Sequence, residues 1–252
     1  MKPKRKRRGN SRYYVFFVLI LILLGATGTG VYMLLTNVSW FDITTISHSG
    51  NSIVPDSLIT GILSEYQGTN LLKIRSSQIR SHFADFARIQ KVSISKSFPQ
   101  TLKVTFNERE GFLWLRTVEG ELVAIDSDGL VLESFNGIIS EDLPVVGTFL
   151  SVAQLKAGQN PNKPYLTRII NFHKRISDEA PEFLPHISEY YMISDEIHIV
   201  DARHGTSIIP AQKNLADQFR RYLFVQDNGN IARRSTVDLR YDKQVVVKEG
   251  RL

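Results

Sequence analysis

Six histidines, at positions 48, 82, 173, 186, 198 and 204, are the first side chains to weigh for chemistry. His198 and His204, with Asp201 between them, come nearest to a ligand cluster. Their spacing matches no common zinc arrangement. Asp126-Ser127-Asp128-Gly129 opens like a calcium loop, yet Gly137 stands where the bidentate glutamate belongs, so a β-turn accounts for the run. Glu108 and Glu110 fall on one strand face, and a carboxylate pair needs a cleft to do acid–base work. No nucleophile elbow, phosphate-cradling glycine loop or dinucleotide fingerprint occurs. With no cysteine there is neither thiol chemistry nor a disulfide. The expectation is no catalytic residue, no metal and no cofactor, hence no enzyme.

Backbone chemistry at the end of the chain is more promising. Thr236–Lys248 (TVDLRYDKQVVVK) reads as one long strand without proline. An edge strand offers unpaired N–H and C=O groups to another chain, and alternate side chains then supply specificity. By alternation Val237, Leu239, Tyr241, Val245 and Val247 share one face, with Asp238, Arg240, Asp242 and Val246 on the other. Arg240 and Tyr241 are the residue types that anchor interfaces. They serve equally well to finish a sheet by cross-strand pairing, and composition alone leaves both uses open. Val245 and Val247 join them as candidate partner-binding residues.

The rest of the chain must position that strand. Its 252 residues, 42% hydrophobic and 22% charged, suit one large folded domain or two small ones. The net charge of +6 invites a nucleic-acid reading until it is located. Residues 1–12 hold seven cations and no acid, which leaves the remainder at −1. Nucleic acid is therefore not expected as a partner. From Tyr13 to Phe41 there is no charge, and Val15–Leu24 is apolar without interruption. Residues 13–36 supply the ~20 apolar residues that a bilayer core requires, with Tyr13, Tyr14, Tyr32 and Trp40 as aromatic belts. The positive-inside bias puts the tail of residues 1–12 in the cytoplasm and the chain beyond about residue 40 outside. A cleaved signal peptide competes, since Gly25-Ala26-Thr27-Gly28 offers small residues. Against cleavage, the apolar run resumes at Val31–Leu35.

Residues 40–109 read as strand, helix, helix, strand, strand. Ile43–Ser47 ends at the Gly50-Asn51 turn, Leu58, Ile59, Ile62 and Leu63 recur at helical spacing after Pro55, and Ile79, Phe83 and Phe86 mark a second helix. Val92 and Ile94, then Leu102, Val104 and Phe106, alternate on either side of Phe98-Pro99-Gln100, a hairpin. Residues 110–249 are richer in β signals. Strands are expected at 112–118, 122–125, 130–132, 187–193 and 196–200, with amphipathic helices at 164–177 and 212–225 and a loop around Leu143-Pro144. The fold class is α+β, a mainly antiparallel sheet with flanking helices behind a small first domain.

The order of these landmarks resembles the FtsQ/DivIB family of bacterial cell-division proteins. The residues that carry the likeness are Gly50-Asn51, Gly68-Thr69-Asn70-Leu71-Leu72, Ser97–Val104 with Asn107-Glu108-Arg109, Leu122–Asp126 with Gly129, Leu143–Gly147 and Val237–Tyr241. Two places depart from the pattern. Glu110-Gly111-Phe112 stands where relatives usually have a proline, and Lys243-Gln244 stands where they often have small residues. The resemblance implies a single-pass anchor, a POTRA domain at 40–109 and an FtsQ-type β domain at 110–249. It implies a non-enzymatic divisome scaffold of the inner membrane at the septum, which recruits the FtsB and FtsL pair and links early septal-ring components to the septal synthase complex. FtsK is implied as the upstream partner, and the positions of Arg240 and Tyr241 as contacts for FtsB. The competing expectation is an anchored envelope hydrolase whose site is assembled from scattered residues. A POTRA-bearing export component would need a β-barrel or repeated POTRA units, for which the length is too short.

Overall fold

The structure, a computed structural model, describes residues 11–135, 141–229 and 231–248. The basic run at residues 2–8 lies outside the described residues. The first element, α1 (Ser11–Asn37), is apolar on every side and its side chains from Tyr13 to Leu35 are exposed. Such a surface, of this length, suits the hydrocarbon core of a bilayer. Its hydroxyls need no water, because Thr27 donates to the Leu23 carbonyl at 2.9 Å and Thr29 to that of Gly25 at 2.7 Å.

The chain forms two compact units. One gathers α1 and the residues up to Ser49 with Asp56–His82 and Val92–Thr105; the other gathers Gly50–Pro55, Phe83–Lys91 and the chain from Phe106 onward.

In a three-stranded sheet lying mostly in the first unit, β1 (Thr45–Ser49) pairs in parallel with β3 (Thr101–Glu108), and β2 (Ile89–Ser97) lies on the other side of β3. The expected strand at 43–47 thus begins two residues late. Ile43 is instead buried in a loop, where it exchanges backbone hydrogen bonds with Gly68 and Thr69. Helices α2 (Asp56–Ser64) and α3 (Ser76–His82) bury Ile59, Leu63 and Ile79. Leu102 and Val104 are buried while Lys103 and Thr105 are exposed, the alternation expected of a half-covered strand.

The second unit is built on a sheet of eight strands in the order β11-β10-β9-β8-β7-β6-β4-β5. These are β4 (Leu113–Arg116), β5 (Leu122–Ile125), β6 (Val145–Gly147), β7 (Ile187–Ile193), β8 (Glu196–Asp201), β9 (Ser207–Ile209), β10 (Thr236–Asp238) and β11 (Val246–Lys248). Antiparallel pairing predominates, with parallel junctions at β4–β6, β6–β7 and β9–β10. Parallel neighbours need a long crossover. Helix α4 (Pro164–Glu179) supplies it between β6 and β7, and α5 (Leu215–Asn228) between β9 and β10. Their apolar stripes join Leu113, Leu115, Tyr190, Ile199, Ile208 and Val237 in one core. Phe183 stacks on Phe219 of α5 within it, centroids 4.0 Å apart.

Three differences from the sequence pattern have physical causes. Leu130–Leu132 makes only a single bridge, Val131 to Ile125, because Gly129 and the Asp126 carboxylate hold a tight turn there. The strands β6 and β9 are only three residues long, too short to show a period. Thr236–Lys248 is not one strand but an antiparallel hairpin, β10 against β11. The reversal is made without glycine. Lys243 adopts φ 55°, and Gln244 donates its N–H to the Tyr241 carbonyl.

Candidate partner-docking site

As the first strand of the sheet order, β11 pairs among the described residues only with β10, which leaves one side of its backbone without a strand partner there. The register sets Val237 opposite Val247 and Asp238 opposite Val246. Of the face expected by alternation, Val237 and Val247 thus stay on one side, since directly paired residues share a side of the sheet, while Leu239, Tyr241 and Val245 lie outside the two strands. Val237 and Leu239 are buried, Val245 packs half-buried against the core, and Val247 is exposed at the edge. Tyr241 stands on the connecting turn with 53% of its surface open.

Arg240 is held rather than free. Its Nε donates to Asp238 Oδ1 at 2.9 Å and its Nη2 to Oδ2 at 2.7 Å, while Nη1 bonds Glu196 on β8. The Asp238 carboxylate also accepts the Arg240 backbone N–H at 3.1 Å, which ends β10 in an Asx turn. These hydrogen bonds from Arg240 lower the Asp238 pKa below the usual carboxylate range, and Asp238 in return raises that of Arg240. Nearby, His198 is buried against the Tyr191 ring and 3.4 Å from Ser207 Oγ, and burial chiefly lowers its pKa. Arg240 thus presents a fixed planar fork, 43% exposed at its side chain. A carboxylate or a backbone carbonyl is its natural acceptor.

Behind the turn lies a cavity of about 480 Å³ lined by Arg220, Arg221, Phe224 and Val225 of α5 with Lys243 and Val245. Arg221 steadies the turn by donating to the Gln244 carbonyl at 3.2 Å. The sequence pattern passed over Asp238, Glu196 and this helix face. Phe224 offered one signal, an aromatic lying off the inner stripe of α5, and it is 67% exposed.

Several of the other residues weighed for chemistry are engaged in structure. His204 faces Asp201, whereas His198 lies toward Ser207. Among the described residues no three His, Cys, Asp or Glu side chains gather to hold a metal. Glu108 and Glu110 do line a polar cleft of about 310 Å³ with Asp126 and Asp128. Glu108, however, accepts from the N–H groups of Ser52, Ile53 and Val54 and from the Ser52 hydroxyl. Asp126 accepts from Arg109 and from two turn amides. Adjacent in the chain at the end of β3, Glu108 and Arg109 thus serve different partners.

Comparison with known proteins adds one match and one blank. Residues 41–109 match the family model described as POTRA domain, FtsQ-type. No curated protein matches the chain. FtsQ-type POTRA proteins are non-enzymatic division scaffolds. With a membrane-length apolar helix ahead of that domain and a mainly β domain with flanking helices after it, the FtsQ-type match over residues 41–109 supports a cell-division protein of the FtsQ/DivIB family.

Proposed function

We propose that this protein recruits the FtsB and FtsL pair by strand addition, an extended segment of FtsB pairing with the free side of β11. The observation that carries the reading is the terminal place of β11 in the sheet beside the clamped Arg240. Each added backbone hydrogen bond contributes a net ~0.5–1.5 kcal/mol, so a short strand gives register more than affinity. Affinity then comes from anchors: the Arg240 fork, the Tyr241 ring and the apolar edge of Val245 and Val247. In this scheme residues 1–12 are a cytoplasmic tail, 13–36 span the inner membrane, 40–109 form the POTRA domain that meets an FtsK-like recruiter, and 110–249 form the extracytoplasmic docking domain at the septum. The scaffold so links early ring components to the septal synthase complex, with neither nucleic acid nor a small-molecule substrate involved.

The test is depletion followed by complementation with Arg240→Ala plus Tyr241→Glu. Filamentous cells and loss of FtsB capture, with the variant still folded and in the membrane, are expected. Normal division with unchanged capture sinks the proposal.

A further inference from the structure

The end of α1 is built into the first unit instead of running into a linker. Asn70, in the loop after α2, donates from Nδ2 to the carbonyls of Leu35 and Val38, each at 3.2 Å. Its Oδ1 accepts the Leu72 N–H at 3.0 Å, and the Phe41 carbonyl accepts that of Leu71 at 2.7 Å. Carbonyls at a helix C-terminus have no partner within the helix, so these bonds cap α1 with the domain itself. Thr36, in its last turn, is buried, and Lys73 Nζ reaches Asn37 Oδ1 at 3.5 Å.

Two exposed aromatic rings sit beside this junction. Trp40, in the 3₁₀ turn Ser39–Phe41, is 65% exposed, and Phe98, at the tip of the β2–β3 hairpin, is 57% exposed. Phe41 links them, meeting the Phe98 ring edge-on with centroids 6.2 Å apart. The Gln100 carbonyl accepts the N–H groups of Thr44 and Thr45, which holds the hairpin tip against the first residues past the helix.

We propose that Trp40 and Phe98 are a lipid-contacting foot that rests in the headgroup layer of the bilayer crossed by α1 and fixes the tilt of the first domain over the membrane. Chain continuity names the occupant. Trp40 follows the last apolar residue of the span, Leu35, by five positions, and each helical residue advances about 1.5 Å. That distance falls in the interfacial layer flanking the ~30 Å hydrocarbon core. Tryptophan favours this layer, and Lys73 is placed to meet lipid phosphates there. The hairpin tip, held at the same level, brings Phe98 to the same surface. The inference is separate from docking at β11 and rests on α1 crossing the bilayer.

The chain has no cysteine, so single cysteines report cleanly. The full chain is labelled with an environment-sensitive fluorophore at Leu21→Cys, Ser97→Cys or Ser49→Cys and reconstituted, without other protein, in phosphatidylethanolamine/phosphatidylglycerol vesicles. Ser49 serves as the distal control, at the opposite end of β1 from the hairpin tip. Headgroup spin-labelled lipid is expected to quench position 97 severalfold more than position 49, and acyl-chain spin label to quench position 21. Adding Trp40→Ser and Phe98→Ser should return position 97 to the level of position 49 while position 21 stays quenched. Equal quenching at 97 and 49 in the otherwise unaltered chain overturns the proposal and shows that the tip meets solvent. Quenching at 97 that survives the double substitution overturns the assignment to these rings. Iodide access to position 21 removes the anchor and the proposal with it.

Discussion

The Arg240 guanidinium is clamped by the carboxylate of Asp238, two residues earlier in the chain, through two hydrogen bonds of 2.9 and 2.7 Å. The same carboxylate ends β10, so the residue that presents the anchor also shapes the turn leading to the edge strand. On the proposed docking mode, Asp238→Asn should therefore lower FtsB affinity while Arg240 is still present, by at least the tenfold that ~1.4 kcal/mol represents. Titration calorimetry of the detergent-solubilised protein with an FtsB peptide reads this.

The same pair predicts acid sensitivity. Asp238 has its pKa lowered in the fold, first by its hydrogen bond from Arg240. A depressed carboxylate contributes stability above its unfolded pKa of about 3.9, and the contribution is lost as pH falls through the folded value. Chemical denaturation at pH 5 and pH 3 should show a larger loss in the unaltered protein than in Asp238→Asn.

His173 should add a second pH dependence at milder acidity. Its Nδ1 lies 2.7 Å from the Tyr190 hydroxyl, the Phe112 ring meets it edge-on, and burial lowers its pKa to about 4. A histidine kept neutral in the fold contributes fully above the unfolded value of about 6.5, and stability declines from there down to the folded value. The shift corresponds to roughly 3 kcal/mol at full effect. Urea midpoints measured from pH 7.5 to 4 should fall in the unaltered chain and fall less in His173→Gln.

Arg88 holds the segments on both sides of residues 136–140. It is 1% exposed, bonds both Glu141 oxygens at 3.1 and 3.2 Å and the Glu133 carbonyl at 3.4 Å, and lends its N–H to the Glu133 carboxylate. Arg88→Met strands Glu141 and should cost about 3–5 kcal/mol. Gly111 belongs to the same cluster. Its N–H donates to Glu141 at 2.7 Å, and a Cβ there would stand 2.7 Å from both Glu141 Oε2 and Leu143 Cδ1. A proline in place of Gly111 would remove the donor and fill the space, so Gly111→Pro should lower the unfolding midpoint sharply.

Glu108→Gln replaces an acceptor of four hydrogen bonds from residues 52–54 with one that has a single carbonyl oxygen. A loss of about 1–3 kcal/mol is expected. Hydrogen exchange at Ile53 and Val54 should quicken ahead of the sheet amides.

Sequence alone determined the features that rest on local pattern. The charge-free run after a basic tail is legible as a helix of membrane-spanning length, because about 20 apolar residues match the hydrocarbon core of a bilayer. Alternation at Leu102, Val104 and Phe106 and the stripes of α4 and α5 named core residues that the structure buries, because burial enforces a period along the chain. Arg240 and Tyr241 were legible as residue types. Tertiary structure alone decided where they stand. The turn at Asp242-Lys243 carries no glycine to announce it, and it splits the expected strand into β10 and the edge strand β11. The clamp on Arg240 needs Glu196, 44 residues away on β8. The Asn70 cap on α1 joins residues 35 apart in sequence. Such long-range pairings leave no periodic trace, since they depend on which strands the crossovers through α4 and α5 bring side by side.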